Sequence, residues 1–435
     1  MKSCRYACQS ADHELSRRDL FRTAAGVGLG GAILPGLSHF GGSAVAAEMD
    51  RQQKRMIVID LHGGASQLET WDPKPGTDTG GPFRAIPTSV PGLHISELLP
   101  RTAQIMHHLA VVRSINTREG DHGKGAYLMS TGRRRTPAQD YPVLGAVVSK
   151  AIAEQAETAS SLPGHIVITP NGAGGRNADS AYLGPKYGSV ALGGGKPLQY
   201  SERPQGLAEE ASLTGNDFRR KLNERFLSRR RTAMTDAYTQ SFEQGLELMR
   251  QRDIFDITKE SAKDQERYGT HDFGRHCLLA RRLVEHGITY VKVSHSNYDT
   301  HCENFNFHLE QIGEFDGPFA TLVGDLYDRG LLDHTLIVVL SEFGRTPRIN
   351  ATYGRDHWGN AWSICLGGAG IQRGAVFGAT NANGTEVTEG EVDGGDLFHT
   401  YLAALGLKSS GHFTVAGQKT PMADPAHHPI DDLLI

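Results

Sequence analysis

Short runs of β-branched and aliphatic residues recur along this chain, most followed by a stretch that reads as helix, and no other feature restricts the fold as strongly. Met56-Ile57-Val58-Ile59-Asp60-Leu61, Leu109–Arg113, His165–Ile168, Ile288–Val293, Leu336–Leu340 and Trp362–Leu366 read as strands. The first and the strong Leu336 run are apolar at nearly every position rather than at every second one, the pattern of strands buried on both faces. Helices are expected from Ser96 to about His108 with a serine N-cap, from near Lys124, after Pro142, up to His286 with a stop at Gly287, over roughly Phe307 to Arg329, and from Asp396 to Leu405. Strands alternating with helices predict an α/β fold: a central, mostly parallel sheet with helices on both faces. Residues 170–212 read as long loops with small elements, and a charged, helical insertion is expected around 214–270. Its Arg229-Arg230-Arg231 triplet reads as a solvated face.

The first 47 residues stand apart from this rhythm and are expected to be a targeting segment. Ser16-Arg17-Arg18-Asp19-Leu20-Phe21 is a twin-arginine pattern, Thr23 to about Leu37 is weakly apolar, and Ser43–Ala47 offers small residues to a signal peptidase. The apolar stretch is too short and too broken by Gly and Pro to span the roughly 30 Å of a bilayer core. Residues 48–435 then form a single domain with a mildly acidic balance, expected to be periplasmic or secreted. No later segment is long and apolar enough to cross a membrane. The whole chain is 22% charged with a net charge of −4, which excludes a nucleic-acid coat. Only Cys277, Cys302 and Cys365 follow the leader, which is neither a disulfide framework nor a thiolate zinc site.

In open α/β sheets, sites form beyond the carboxyl ends of strands. Five polar clusters fall at such places: Asp60 with His62; Asp121 with His122; Asp299 with His301; Glu342 with Arg345; and Asp356 with His357. Taken singly each has an ordinary reading, an Asx-turn or a loop hydrogen-bond pair. Together they offer Asp60, His62, His122, Asp299, His301, Glu342, Asp356 and His357 as ligands for one or two divalent metals. Imidazole with carboxylate favours zinc, with manganese, magnesium or calcium as the other candidates. Arg345 reads either as a clamp for an anionic oxygen, since a planar guanidinium matches phosphate and sulfate, or as an ion pair with Glu342 or a neighbour. No Gly-x-Ser-x-Gly elbow, P-loop or dinucleotide fingerprint is present.

The chain resembles the bacterial family of secreted proteins called DUF1501, which is grouped with the alkaline phosphatase and sulfatase superfamily. The resemblance rests on His62-Gly63-Gly64 with Glu69–Pro75, Met129-Ser130-Thr131-Gly132, Ala280–Gly287, Asp299-Thr300-His301, Glu342–Pro347 and Gly354–Trp358. It implies an alkaline-phosphatase-like domain. The wider superfamily places an Asp at the end of the first strand, matched here by Asp60 or His62, and an Asp and a His after a later strand, matched by Asp299 and His301. Its next Asp-His-Gly reads Glu342-Phe343-Gly344 here, so Asp356-His357 would supply the missing imidazole. Nine residues before Thr131, where the superfamily carries a Cys, Ser or Thr nucleophile, stands His122. The resemblance therefore implies a metal-dependent hydrolase of phosphate or sulfate esters, with His122 as ligand or nucleophile and an anionic ester or sulfated glycan as substrate. The alternative is a periplasmic metal- or glycan-binding module that has lost its nucleophile.

Overall fold

A computed structural model describes residues 53–155, 162–170, 177–194, 202–228 and 233–435. The expected leader and the Arg229–Arg231 triplet lie outside the described residues.

The sheet strands are β1 (Arg55–Leu61), β2 (Leu109–Ile115), β3 (His165–Thr169), β4 (Val190–Gly193), β5 (Tyr290–His295), β6 (Thr335–Leu340), β7 (Trp362–Gly367) and β8 (Val376–Phe377). The main helices are α1 (His122–Thr131), α2 (Leu144–Gln155), α3 (Glu209–Leu227), α4 (Ala233–Arg250), α5 (Asp272–Glu285), α6 (Asn304–Asp328) and α7 (Gly394–Ala404). The strand order is β8-β2-β7-β6-β1-β5-β3-β4. Every pairing is parallel except those of β7, which runs antiparallel to both β2 and β6. The expected α/β class, with its mostly parallel sheet, is what the chain adopts.

The all-apolar strands are explained by their place. β1 is buried along its whole length. Ile57, Ile59 and Leu61 face a core shared with Leu279 and Leu283 of α5 and Phe315, Phe319 and Leu322 of α6. Met56 and Val58 face the opposite core, shared with Val147 and Val148 of α2 and Leu397 and Tyr401 of α7. Period-two alternation thus survives as an alternation between two cores rather than between core and water.

One expected helix differs. Ser96 does not cap a helix reaching His108. It ends a short strand, His94–Ser96, paired with Ala85–Pro87, and the helix occupies only Pro100–Gln104 before a 3-10 turn at Met106–His108. Proline is tolerated in the first helical turn but not further in, so Pro100 sets the start. The charged segment is helical as read, although α3 begins earlier, at Glu209. None of the described helices is long and apolar enough to cross a membrane.

Candidate metal centre

β1 lies between β5 and β6, so the loops leaving these three parallel strands emerge at one edge. After β1 the backbone turns at Gly63, with φ of 115°. A Cβ there would lie 2.5 Å from the backbone nitrogen of Asp299, so only glycine lets the two loops meet this closely. The Gly63 amide donates to the Glu342 carboxylate at 3.0 and 3.2 Å. Ser341 donates to the Leu61 carbonyl and accepts from the Ala65 amide at 3.0 Å. Loop and strand ends are therefore locked together at the edge where the polar groups collect.

Three imidazoles converge on Asp299. His301 Nε2 and His357 Nε2 each lie 3.1 Å from Asp299 Oδ1, and 3.0 Å from one another. His122 Nε2 lies 3.3 Å from Asp299 Oδ2. Behind each ring an acceptor faces Nδ1: Glu342 at 2.7 Å behind His122, Asp356 at 2.7 Å behind His301, and the Gly120 carbonyl at 2.7 Å behind His357. An ionised carboxylate and a carbonyl can only accept, so the hydrogen-bond network assigns the proton to Nδ1 in all three neutral rings. The Nε2 atoms of His301 and His357 then present bare lone pairs to one another, and all three rings face the Asp299 carboxylate. A single shared proton relieves one of these contacts; a cation relieves all of them. Three oriented imidazoles and one carboxylate form a donor set for a borderline divalent ion, and an acceptor behind each imidazole is how such ligands are held. The residues therefore fit a metal.

His122, Asp299 and His357 each bring one donor atom within 4.8 Å of the others, and so do Asp60, His62 and Glu342. The second set is less exclusive. Asp60 is already paired with Lys292 at 2.7 Å, and the His62 ring is 56% exposed with Nδ1 3.9 Å from Glu342. Asp356, read from the sequence as a ligand, instead holds His301 and accepts from Asn350 at 3.4 Å. Phe343, where the resemblance leads to an expectation of histidine, is fully buried, with its ring centre 4.9 Å from that of His122 and 4.5 Å from that of His357.

The reading of Arg345 as a clamp for a substrate oxygen needs correction. Its guanidinium is fully buried. It donates to the carbonyls of Gly63, Gly64 and Arg355 and to Asp299 Oδ1 at 2.6 Å. No bound substrate can reach it without breaking these bonds. Its role is to fix Asp299. Burial works against the ionised form of Asp299, but the hydrogen bond and positive charge of Arg345 outweigh it and hold that carboxyl well below the usual carboxylate range.

A second buried pair was not singled out in the sequence. Glu69 and Arg355 are both fully buried and meet at 2.8 Å. Burial would raise the Glu69 carboxyl, and Arg355 and His308 more than offset this and lower it. Arg355 also donates to the carbonyls of Thr346 and Pro347 at 3.0 and 2.5 Å and of Thr79 at 2.7 Å. The pair ties the segment after β6 to the loop after β1. Opposite charges inside two glycine-bearing motif blocks were the available signal.

Comparison with known proteins agrees with the sequence resemblance. The family described as "Protein of unknown function (DUF1501)" matches residues 53–434. No curated protein sequence matches the chain. Among solved structures, Ps i-CgsB in complex with k-i-k-neocarrahexaose is 12% identical over 82% of this chain and 73% of that one, with a TM-score of 0.41. The PsFucS1 sulfatase from Pseudoalteromonas sp. is 12% identical over 85% and 72%, at 0.37. Alkaline phosphatase from the Antarctic bacterium TAB5 is 14% identical over 82% and 99%, at 0.34.

Proposed function

Since the chain belongs to the DUF1501 family, whose match runs over nearly all the described residues, we propose that it is an exported, metal-dependent hydrolase of phosphate or sulfate esters. One observation carries this reading: the Nε2 atoms of His301 and His357, whose Nδ1 atoms face acceptors, lie 3.0 Å from one another and 3.1 Å each from Asp299 Oδ1. His122, Asp299, His301 and His357 would hold a divalent ion, zinc by their donor types, which would supply Lewis acidity to an ester oxygen and to a water near neutral pH.

The chain's own residues do the rest. Asp356 and the Gly120 carbonyl keep His301 and His357 in the tautomer that ligates. Arg345 holds Asp299 ionised and aimed into the centre. His122 sits in the first turn of α1 with its Nε2 toward Asp299, where the free amides of a helix start favour an anionic group. Phe343 is buried against the His122 and His357 rings. Glu342, 2% exposed, orients His122 and is also the nearest group able to take a proton from that ring.

Metal analysis of the purified protein, followed by a panel of chromogenic phosphate and sulfate esters with and without zinc, manganese and calcium, tests the reading. We expect about one equivalent or more of metal, and ester cleavage abolished by chelation. Protein that takes up no divalent metal sinks the proposal, while metal without turnover on any ester reduces it to the binding module. We also propose that the twin-arginine leader carries the folded protein out of the cytoplasm.

A further inference from the structure

A cavity of about 490 Å³, lined by the loop before α1, by α1 itself and by the segment after it, is not used by the reaction outlined above. That volume is in the range of small-ligand sites. Lys124, Arg134 and Arg135 supply three cations to its lining, against one carboxylate, Glu119. Leu128 and Pro137 give it an apolar wall. Arg134 is partly committed, donating to the Thr117 carbonyl at 2.7 Å and to Asp393 at 2.9 Å. Arg135 is 66% exposed, with its guanidinium over the Tyr127 ring and 4.0 Å from Asp140. The Lys124 side chain is exposed, and its backbone amide is held by Asp121 at 2.9 Å. Glu119 is turned back on its own loop, accepting from the Asp121 amide at 3.1 Å. The lining itself carries three positive groups against one negative, with Asp393 and Asp140 beside Arg134 and Arg135 from outside it.

The first turn of α1 joins this cavity to the metal centre. His122 enters the centre, and Lys124 and Leu128, one turn apart on another face, line the cavity. The loop before the helix belongs to both: Glu119 lines the cavity, and the next residue, Gly120, holds His357. We infer that the cavity is a binding subsite for a second anionic group of the substrate, so that the substrate is an oligomer carrying more than one sulfate or phosphate group. One group is presented to the metal centre, and a neighbouring one is held by Lys124 and Arg135. The apolar wall of Leu128 and Pro137 takes the carbon skeleton between them. This deepens the ester-hydrolase reading and rests on it for the claim that the oligomer is substrate.

The test is binding to the full chain in the presence of a chelator, read by fluorescence anisotropy. The probes are a labelled sulfated hexasaccharide, a labelled glycerol-phosphate hexamer and a labelled neutral hexasaccharide. At least one anionic probe is expected to bind tenfold or more tightly than the neutral one, with the tighter of the two naming the ester. The K124E/R135E double variant should weaken that binding at least tenfold, the K124R/R135K variant should retain it, and His301→Ala should leave it in place. Equal binding by K124E/R135E and the unaltered protein, or equal loss in His301→Ala, overturns the inference. The assay contains neither metal nor turnover, so its outcome is separable from failure of the hydrolase reading.

Discussion

At the scale of single residues, the centre depends on groups that never touch substrate. His301 and His357 are expected to be the most sensitive ligands, because each faces both the other ring and Asp299. His301→Ala should lower metal content at least tenfold by elemental analysis while leaving the far-ultraviolet circular dichroism unchanged. Arg345 is different in kind. Removing it leaves three backbone carbonyls and one carboxylate without their donor in a buried place, which costs about 3 kcal/mol. Arg345→Lys should recover little of this in urea denaturation, because an ammonium cannot reproduce the planar fork. A third residue effect concerns acid. Burial pushes His276 down to about 4, and both its ring nitrogens lack a hydrogen-bond partner. Burial likewise pushes His295 down to about 3. Unfolded histidine binds its proton near about 6.5. Between that value and the folded one the unfolded chain holds more protons, so stability is full above about 6.5 and falls as the pH drops toward 4. His276→Phe should flatten that decline in denaturation curves taken from pH 7 to 4. An unchanged slope would show that another group controls acid sensitivity.

Among the elements, β7 decides whether the site exists. Because it runs antiparallel, its start lies at the same edge as the ends of β1, β5 and β6. The segment from 341 to 361 therefore never crosses the sheet and can return Asp356 and His357 to the loop bearing Asp299 and His301. A short ribbon holds it, with His357 opposite Arg345 and Trp358 opposite Gly344. Gly354 is its closest approach: a Cβ there would lie 2.0 Å from the His301 carbonyl oxygen. Gly354→Ala must push the two loops apart, at a cost of about 1–3 kcal/mol. We expect metal affinity to fall at least tenfold in a competitive chelator titration, with thermal unfolding lowered by a few degrees. Metal affinity equal to that of the unaltered protein would show that the two loops move independently.

For the molecule as a whole, the proposed reading couples metal, folding and export. A ligand bound only to the folded state at 100 times its dissociation constant adds about 2.7 kcal/mol of stability. Chelation should therefore lower the unfolding midpoint by several degrees, and added zinc should restore it. Cys277, Cys302 and Cys365 are all free thiols, so the described chain has no cross-link to replace that contribution. The twin-arginine pathway passes folded proteins, which lets metal be loaded first. Replacing Arg17 and Arg18 by Lys should leave the precursor in the cytoplasm, as read by cell fractionation; undiminished export would remove the leader from the scheme.

The sequence by itself determined the class of fold and the places where chemistry can sit. Buried parallel strands must be apolar on both faces, and runs such as Leu336–Leu340 show this without any tertiary information. Polar residues directly after such runs, or in the loop that follows, lie at a strand end, which is why Asp299, His301, Glu342 and His357 could be named in advance. Their roles could not be. Whether a carboxylate binds a metal or holds the imidazole that does so depends on distances of an ångström or two between loops more than fifty residues apart, as with Asp356 behind His301. Arg345 reads identically in sequence whether its guanidinium points to solvent or is buried against Asp299, because composition does not record burial. The direction of β7 leaves no trace in its residues, since a strand buried at every position suits either orientation, and only the packed sheet selects the one that closes the centre.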